Sequence, residues 1–345
     1  MQIPIENIYF LLCYAWNKLE EKNQVAVSVD GITKLPDLFA KILINSTKIL
    51  LKRGIDKNYN SRIEEMAGIK GKIAVSETLK RNLLAKQHTV CSFDELSINT
   101  LPNRILVTTI FKLIKFAELD NALKSELIKL YRMLSNIELI DISDSLFLKT
   151  RLNRNNRFYG FALNVCKIIH EYILPSEKPG EYNFADFTRD ERKMNQLFEE
   201  FIRNFYTIEQ KKYPVVKREI IHWNFDSIIE ANLMFLPQMK TDITLENDSI
   251  KIIIDTKYYR ETMVVNYGKE IIKPENLYQL FSYLLNQQDG TMKTQNATGI
   301  LLYPTIENEY NLNYTFNQHQ ILIRTVNLNS PWENISERLL EILNF

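Results

Sequence analysis

The sequence predicts an α/β protein in two parts, an α+β N-terminal region followed by a mixed sheet flanked by helices. Three observations carry that prediction. After about residue 190, helical and extended patterning follow one another as helix, three strands, helix, strand, the pattern of a sheet covered by helices. In the first half, amphipathic helical periodicity is interrupted by glycine-punctuated extended segments. Between the halves, RLNRNNR (151–157) has little apolar content and reads as a linker. At 345 residues the chain is too long for one small core, and the expected domains are 1–155 and 156–345.

The elements follow in order. Pro4, then Ile8, Leu11, Leu12 and Trp16 at helical spacing, predict a buried amphipathic helix. Its apolar run is too short to span a bilayer, and Glu6 with no basic start argues against a signal peptide. VAVSVDG (25–31) reads as a short strand and turn. PDLFAKILINSTKILLKRG is a long helix closed by Gly54. Gly68 and Gly71 flank Lys70 and suit a turn between two extended arms, IEEMAGI and GKIAV. SETLKRNLLAK, NRILVTTIFKLIKFA and ALKSELIKLYRMLSNI return to helical period, as does FYGFALNVCKIIHEYIL after the linker. ERKMNQLFEEFIRNFYTIEQ is the helix that leads the second half. VKREIIHWNF, MKTDITLEN and DSIKIIIDTKYY are its three strands, followed by the helix PENLYQLFSYLLNQ and the strand ATGILLYP. Extended arms through YTFNQHQILIRTVNL and a helix in PWENISERLLEILN end the chain.

Composition narrows the function classes. Hydrophobic residues at 45% and charged residues at 25% fit a globular protein. A net charge of +1 gives no global field for nucleic acid. Positive charge is instead local, with ten Lys/Arg against four Asp/Glu between Lys48 and His88. Cys13, Cys91 and Cys166 are too dispersed for a disulfide framework or a metal cluster, which fits a reducing cytoplasm. His88, His170, His222 and His319 show no metal-ligand spacing. No G-x-x-x-x-G-K-[ST] occurs, GIKGKI being too short, so the chain itself is expected to bind no nucleotide.

The chemistry concentrates at TDITLENDSIKIIIDTKYY (241–259). A hairpin about Asn247–Asp248–Ser249 brings Asp242 within one or two residues of Asp255 across the ladder. Opposed carboxylates on adjacent strands cost up to about 1 kcal/mol and are tolerated when a cation lies between them. Asp255 and Lys257 are two apart and share a face. Two hard oxygen donors suit Mg²⁺, and the lysine can orient a water or stabilise charge on a phosphate. Gln279 and Tyr283, one turn apart on the next helix, can share a face. A cross-strand salt bridge is the bland reading of the same residues, and the apolar run KIII ahead of Asp255 weighs against it.

The order Asp242…Asp255-Thr-Lys257…Gln279-x-x-x-Tyr283 resembles the PD-(D/E)xK nuclease core of the RecB-like type. The likeness implies that Asp242 and Asp255 hold Mg²⁺, with Mn²⁺ as a substitute, and that the Thr256 carbonyl is a further ligand. It makes Lys257 the catalytic lysine, with Gln279 and Tyr283 bracing the site or contacting DNA. An acid on the leading helix often completes such sites; Glu199 is the candidate and Glu200 its competitor. NIYFLLCYAW (7–16), GIKGKI (68–73), NRIL (103–106) and ENLYQL (275–280) together resemble the McrC family over nearly the whole chain.

That resemblance implies a cytoplasmic endonuclease subunit of a restriction complex, acting on double-stranded DNA with modified cytosine and making no contact with a membrane. Its partner would be an McrB-type AAA+ hexamer, whose GTP hydrolysis this chain would stimulate through a finger from its N-terminal, partner-docking domain. The finger is expected at about 53–73, with Arg53, Tyr59, Arg62, Lys70 and Lys72 as candidates. A stand-alone RecB-like repair nuclease and a non-catalytic adaptor of an AAA+ ring are the alternatives. Lys269 and Lys273 are further candidates for phosphate contact, and one of Tyr258 and Tyr259 is expected to pack inward.

Overall fold

A computed structural model describes residues 3–17, 31–154, 156–176, 180–225, 230–259, 264–266, 269–306 and 309–345. Two compact units emerge, one from the described residues of Met1–Leu35 and Asp186–Phe345, the other Pro36–Ala185. These limits correct the expected 1–155 and 156–345. The basic stretch 151–157 lies inside the second unit, and the N-terminal helix belongs to the first.

The reason is packing. Helix α1 (Ile5–Ala15) is buried from Asn7 to Ala15. Asn7 Nδ2 donates to the carbonyls of Leu328 and Ser330, both at 2.8 Å. The Tyr14 ring stacks on Trp332 at 5.3 Å and meets Phe201 edge-on at 5.8 Å. These anchors lie more than 180 residues away in sequence. The expected strand in 25–31 falls almost wholly outside the described residues.

In the unit Pro36–Ala185, α2 (Leu35–Arg53) ends at Gly54, whose φ of +90° suits glycine. Then come β1 (Asn58–Ala67), β2 (Lys72–Ile73) and β3 (His88–Ser97). The arms around Lys70 are extended as expected, but they do not pair with each other. Both flank β3 in the order β1-β3-β2, all antiparallel. Strand β3, in HTVCSFDELS, is not among the elements expected from periodicity. The turn depends on Gly71, at φ +72°, where a Cβ would lie 2.5 Å from the Ser92 carbonyl oxygen. Helices α3 (Leu101–Ile114), α4 (Asn121–Met133) and α5 (Tyr159–Tyr172) follow the helical periodicity.

The other unit continues with α6 (Glu191–Glu209), whose buried face runs Met194, Leu197, Phe198, Phe201, Ile202, Phe205, Tyr206. VKREIIHWNF is not one strand. It splits into β4 (Val215–Lys217) and β5 (Ile220–Ile221), and β5 pairs with β6 (Met239–Lys240) in a separate ribbon. Strands β7 (Ile243–Glu246) and β8 (Lys251–Thr256) form the expected hairpin. Asn247 closes the turn, its Oδ1 accepting from Ser249 N and Ile250 N at 3.0 and 2.8 Å. After α7 (Pro274–Asn286) come β9 (Thr298–Thr305), β10 (Asn311–Phe316), β11 (His319–Asn327) and α8 (Trp332–Glu341). The mixed sheet has the order β10-β11-β9-β8-β7-β4, with β8–β9 and β9–β11 parallel. Strand β8 is central and buried at every residue. Among the described residues, no helix is long and apolar enough to cross a membrane.

Candidate active site

Strand β8 is apolar until its end, and its neighbours fix the positions of the polar groups there. Ile254 pairs with Ile243, so the same register puts position 242 opposite Asp255. The ladder stops there because Asp242 replaces a backbone acceptor with its side chain. Its Oδ2 accepts from Thr256 N at 2.8 Å and Thr256 Oγ1 at 2.9 Å. Neighbouring strand residues turn their backbone groups to opposite edges, so the Thr256 carbonyl shares the edge of its N–H, toward Asp242. On the other edge Lys257 N donates to the Leu302 carbonyl at 3.0 Å, which keeps the segment in the sheet.

Asp255 is fully buried, and its Oδ1 has no hydrogen-bond partner among the described residues. Lys257 Nζ lies 2.8 Å from Asp255 Oδ2 and donates to Gln279 Oε1 at 3.0 Å. Gln279 Nε2 in turn donates to the Tyr283 hydroxyl at 2.6 Å, and that hydroxyl donates to the Lys240 carbonyl at 2.9 Å. The chain of bonds fixes the ammonium against the carboxylate and ties α7 to β6. Gln279 and Tyr283 therefore share a face, as their spacing requires.

Burial pushes Asp255 up to about 7; Lys257 opposes the shift, while Asp242 and Glu199 add to it. Burial alone would lower Lys257, but Asp255 and Asp242 outweigh it and raise the ammonium above its ordinary value. Glu199 is raised by burial and then by Asp242, against Arg218 and Arg203. Glu199, on α6, thus feels the aspartates. It forms ion pairs with Arg218 and Arg203, and Glu200 shares both arginines. Among the described residues no three His, Cys, Asp or Glu side chains form a metal-holding group. Two carboxylates and a carbonyl still suit Mg²⁺, which usually keeps several waters. The buried Oδ1 without a donor is the atom such an ion would satisfy.

Sequence reasoning missed three supporting residues. Asn195 Oδ1 accepts from Tyr258 N at 2.9 Å, pinning the strand just past Lys257 to α6. Asn276, one turn before Gln279, donates to the Tyr303 hydroxyl at 2.9 Å. Thr241 Oγ1 accepts from Glu219 N at 3.0 Å and bonds Thr244 Oγ1 at 3.0 Å, bracing the bend ahead of Asp242. Only Asn276 left a sequence signal, its helical spacing to Gln279 and Tyr283. Tyr258 packs inward against Phe198, whereas Lys273 sits over the Tyr259 ring at 3.4 Å. The side chain of Lys269 lies outside the described residues.

Of the finger candidates, Arg62, Lys70 and Lys72 flank the same part of β3, Arg62 opposite Phe93 and Lys72 opposite Ser92. Tyr59 is 69% exposed on β1, a strand exposed along nearly all its length. Arg62 pairs with Glu64 and Glu95 at 3.1 and 2.9 Å. Lys70 Nζ sits 3.9 Å over Phe93, Arg53 lies over Phe158, and Lys72 is exposed on β2. The three cysteines are buried and form no disulfide among the described residues. His319 is buried between Gln288 and the Ala297 carbonyl, and His88 and His170 lie beside single acids.

The family described as McrBC 5-methylcytosine restriction system component matches residues 6–304. The chain is 34% identical over 344 residues to the type IV methyl-directed restriction enzyme EcoKMcrBC of Escherichia coli K12, covering 99% of this chain and 97% of that protein. Among solved structures, it matches a chain of the Thermococcus gammatolerans assembly described as McrB AAA+ hexamers with bound McrC. That match has a TM-score of 0.61 at 16% identity, over 99% of this chain and 76% of the other. At that identity the likeness bears on the fold alone.

Proposed function

This chain belongs to the McrBC 5-methylcytosine restriction system component family, and from that premise we propose that it is the nuclease subunit of a GTP-dependent restriction complex. Its substrate is double-stranded DNA carrying methylated cytosine, and its reaction is hydrolysis of a phosphodiester. The observation that carries this reading is the buried Asp255 carboxylate, which pairs with Lys257 beside the negative charge of Asp242 and has an oxygen without a donor among the described residues. A merely structural charge would be expected to have its partners satisfied.

Asp242, Asp255 and the Thr256 carbonyl are the proposed ligands of Mg²⁺, with Glu199 as a further acid beside them. When bound, the ion supplies charge neutralisation at the scissile phosphate and activation of water. Asp242 holds the strand end through Thr256, next to Asp255. Lys257, fixed by Asp255 and Gln279, orients the attacking water and counters the negative charge that grows on the phosphate. Gln279 and Tyr283 keep the ammonium in place, so little reorganisation is needed during the reaction.

The proposed partner is a ring-forming AAA+ GTPase of the McrB type, as in the assembly of the Thermococcus relative. The exposed β1 and the turn to β2 are the proposed finger that reaches it and stimulates its GTP hydrolysis. The test uses the purified chain with such a partner, GTP, Mg²⁺ and methylated DNA. Asp255→Ala and Lys257→Ala should abolish cleavage and leave complex formation and GTPase stimulation intact. Loss of complex formation in both variants would count against the catalytic assignment. Robust Mg²⁺-dependent cutting by the chain alone would instead favour a self-sufficient nuclease.

A further inference from the structure

Glu199 and Glu200, adjacent acids on α6, share two arginines, and the sharing is uneven. Arg203 Nη2 pairs with Glu200 Oε2, one helical turn along. Its Nη1 lies 3.6 Å from Glu199 Oε1, beyond hydrogen-bond range, and is a buried donor with no partner among the described residues. Arg218 Nη2 donates to Glu199 Oε1 and, at 2.9 Å, to Glu200 Oε1. Glu200 thus anchors both arginines, one oxygen to each. Glu199 is held, among the described residues, by its bond from Arg218 and the longer approach of Arg203.

Both members of the Glu199–Arg218 pair are tied to the carboxylate site. Asn195, one turn before Glu199, accepts from Tyr258 N at 2.9 Å, so this face of α6 meets the strand just past Lys257. Arg218 stands in the break between β4 and β5. The residue after it is pinned to the bend ahead of Asp242. Glu219 N donates to Thr241 Oγ1 at 3.0 Å, and Thr241 N donates to the Glu219 carbonyl at 2.9 Å. Asp242 is near enough to raise the Glu199 carboxyl.

Charge decides what this arrangement can do. Two carboxylates and two guanidinium groups balance, so in this state Arg218 has no charge to spare. Glu199, the loosely held acid, can turn to a divalent ion beside Asp242 and Asp255, a move that leaves both arginines on Glu200. Arg218 is the more exposed of the two arginines, at 31% against 17%. It would then carry surplus positive charge next to the cleavage site, and its planar fork suits a phosphate.

We propose that Arg218 latches Glu199 in the metal-free site, and that Glu199, on turning to the ion, frees the Arg218 guanidinium for a backbone phosphate of the DNA. The proposal rests on the ion assigned above to Asp242 and Asp255. The test titrates the full chain with Mn²⁺ by calorimetry, as the parent, Arg218→Ala, Glu199→Gln and the double variant. Glu199→Gln should weaken Mn²⁺ binding about tenfold. Arg218→Ala should tighten it about threefold, and in the double variant that gain should vanish. A short DNA duplex is then titrated into the Lys257→Ala chain, which leaves it uncut. Adding Arg218→Ala should reduce the slope of log affinity against log salt by about one with Mn²⁺ present, and leave it unchanged in chelator. If Arg218→Ala does not fold, Arg218→Gln takes its place with the same expectations. Unchanged or weaker Mn²⁺ binding without Arg218, or a gain that persists beside Glu199→Gln, overturns the latch. Equal salt slopes with and without Mn²⁺ overturn the phosphate contact. Failure of the underlying site reads differently: Mn²⁺ binding would be insensitive to Asp255→Ala, and the latch would fall with it.

Discussion

Lys251 and Asp255 stand on the same face of one buried strand, the first 5% exposed and the second not at all. Around Lys251 each carboxylate has a lysine. Its Nζ lies 2.9 Å from Glu219, while Glu246 is held by Lys217 at 2.8 Å and Lys293 at 2.9 Å. Around Asp255 one lysine stands against two aspartates, pairing with Asp255 alone, and Asp255 Oδ1 lacks a donor among the described residues. Protonation follows the same contrast. Burial would raise Glu246, but its lysines hold it below its ordinary value, whereas Asp255 is pushed up to about 7. Matched charge at one end fixes the strand. Excess negative charge at the other is where the proposed cation would sit.

Charge removal at the two ends should break different properties. Asp255→Ala or Lys257→Ala should lower DNA cleavage by the full complex by at least about 10²-fold, read as rates on methylated DNA with GTP. Lys251→Ala should leave the cleavage rate per folded molecule unchanged and cost on the order of 2 kcal/mol in denaturant unfolding, because Glu219 loses its nearer cation and keeps only Lys217 at 3.5 Å. Equal loss of cleavage from all three variants would erase the distinction.

Smaller changes sharpen it. Gln279→Ala releases the ammonium of Lys257 without touching either aspartate, and cleavage should fall roughly 10-fold with stability nearly unchanged. Tyr283→Phe removes only the hydroxyl that steadies Gln279, and a smaller loss is expected in the same assay.

The pH responses should run in opposite directions. Asp255 has a folded pKa of about 7 against an ordinary value of 3.8, so the folded state holds the extra proton and loses stability as pH rises through that window. Asp255→Asn removes this loss, so its Tm relative to the parent should climb between pH 5 and pH 8 in the presence of a chelator. Saturating Mg²⁺ should shrink the climb by stabilising the ionised parent. Glu246 has a depressed pKa, so its contribution is present above the ordinary value of 4.5 and lost as pH falls below it. Glu246→Gln should cost about 1 kcal/mol at pH 7 and nothing measurable once the parent carboxyl is protonated.

Much of the site was legible because its spacings are local. The D-x-K of Asp255 and Lys257 follows from strand alternation, the Gln279–Tyr283 pair from the helical turn, and the approach of Asp242 from a hairpin with a recognisable turn. The supporting residues were not legible. Nothing in the sequence near Asn195 announces that it pins Tyr258, and nothing near Glu199 shows that it shares Arg203 and Arg218 with Glu200 while facing Asp242.

The same divide runs through the whole chain. Periodicity and turn chemistry by themselves determined helices α1 to α8, the β7–β8 hairpin and the line of residues at the candidate site, because those signals act over a few residues. They did not determine SETLKRNLLAK, which breaks at the left-handed Asn82. Tertiary contacts alone decided that the N-terminal helix joins the distant sheet-bearing unit, that the arms around Lys70 pair with β3 instead of each other, and that VKREIIHWNF breaks into two strands. Each of those outcomes depends on which surfaces meet after the chain has folded back on itself, and an apolar stripe carries no address for the surface that will bury it.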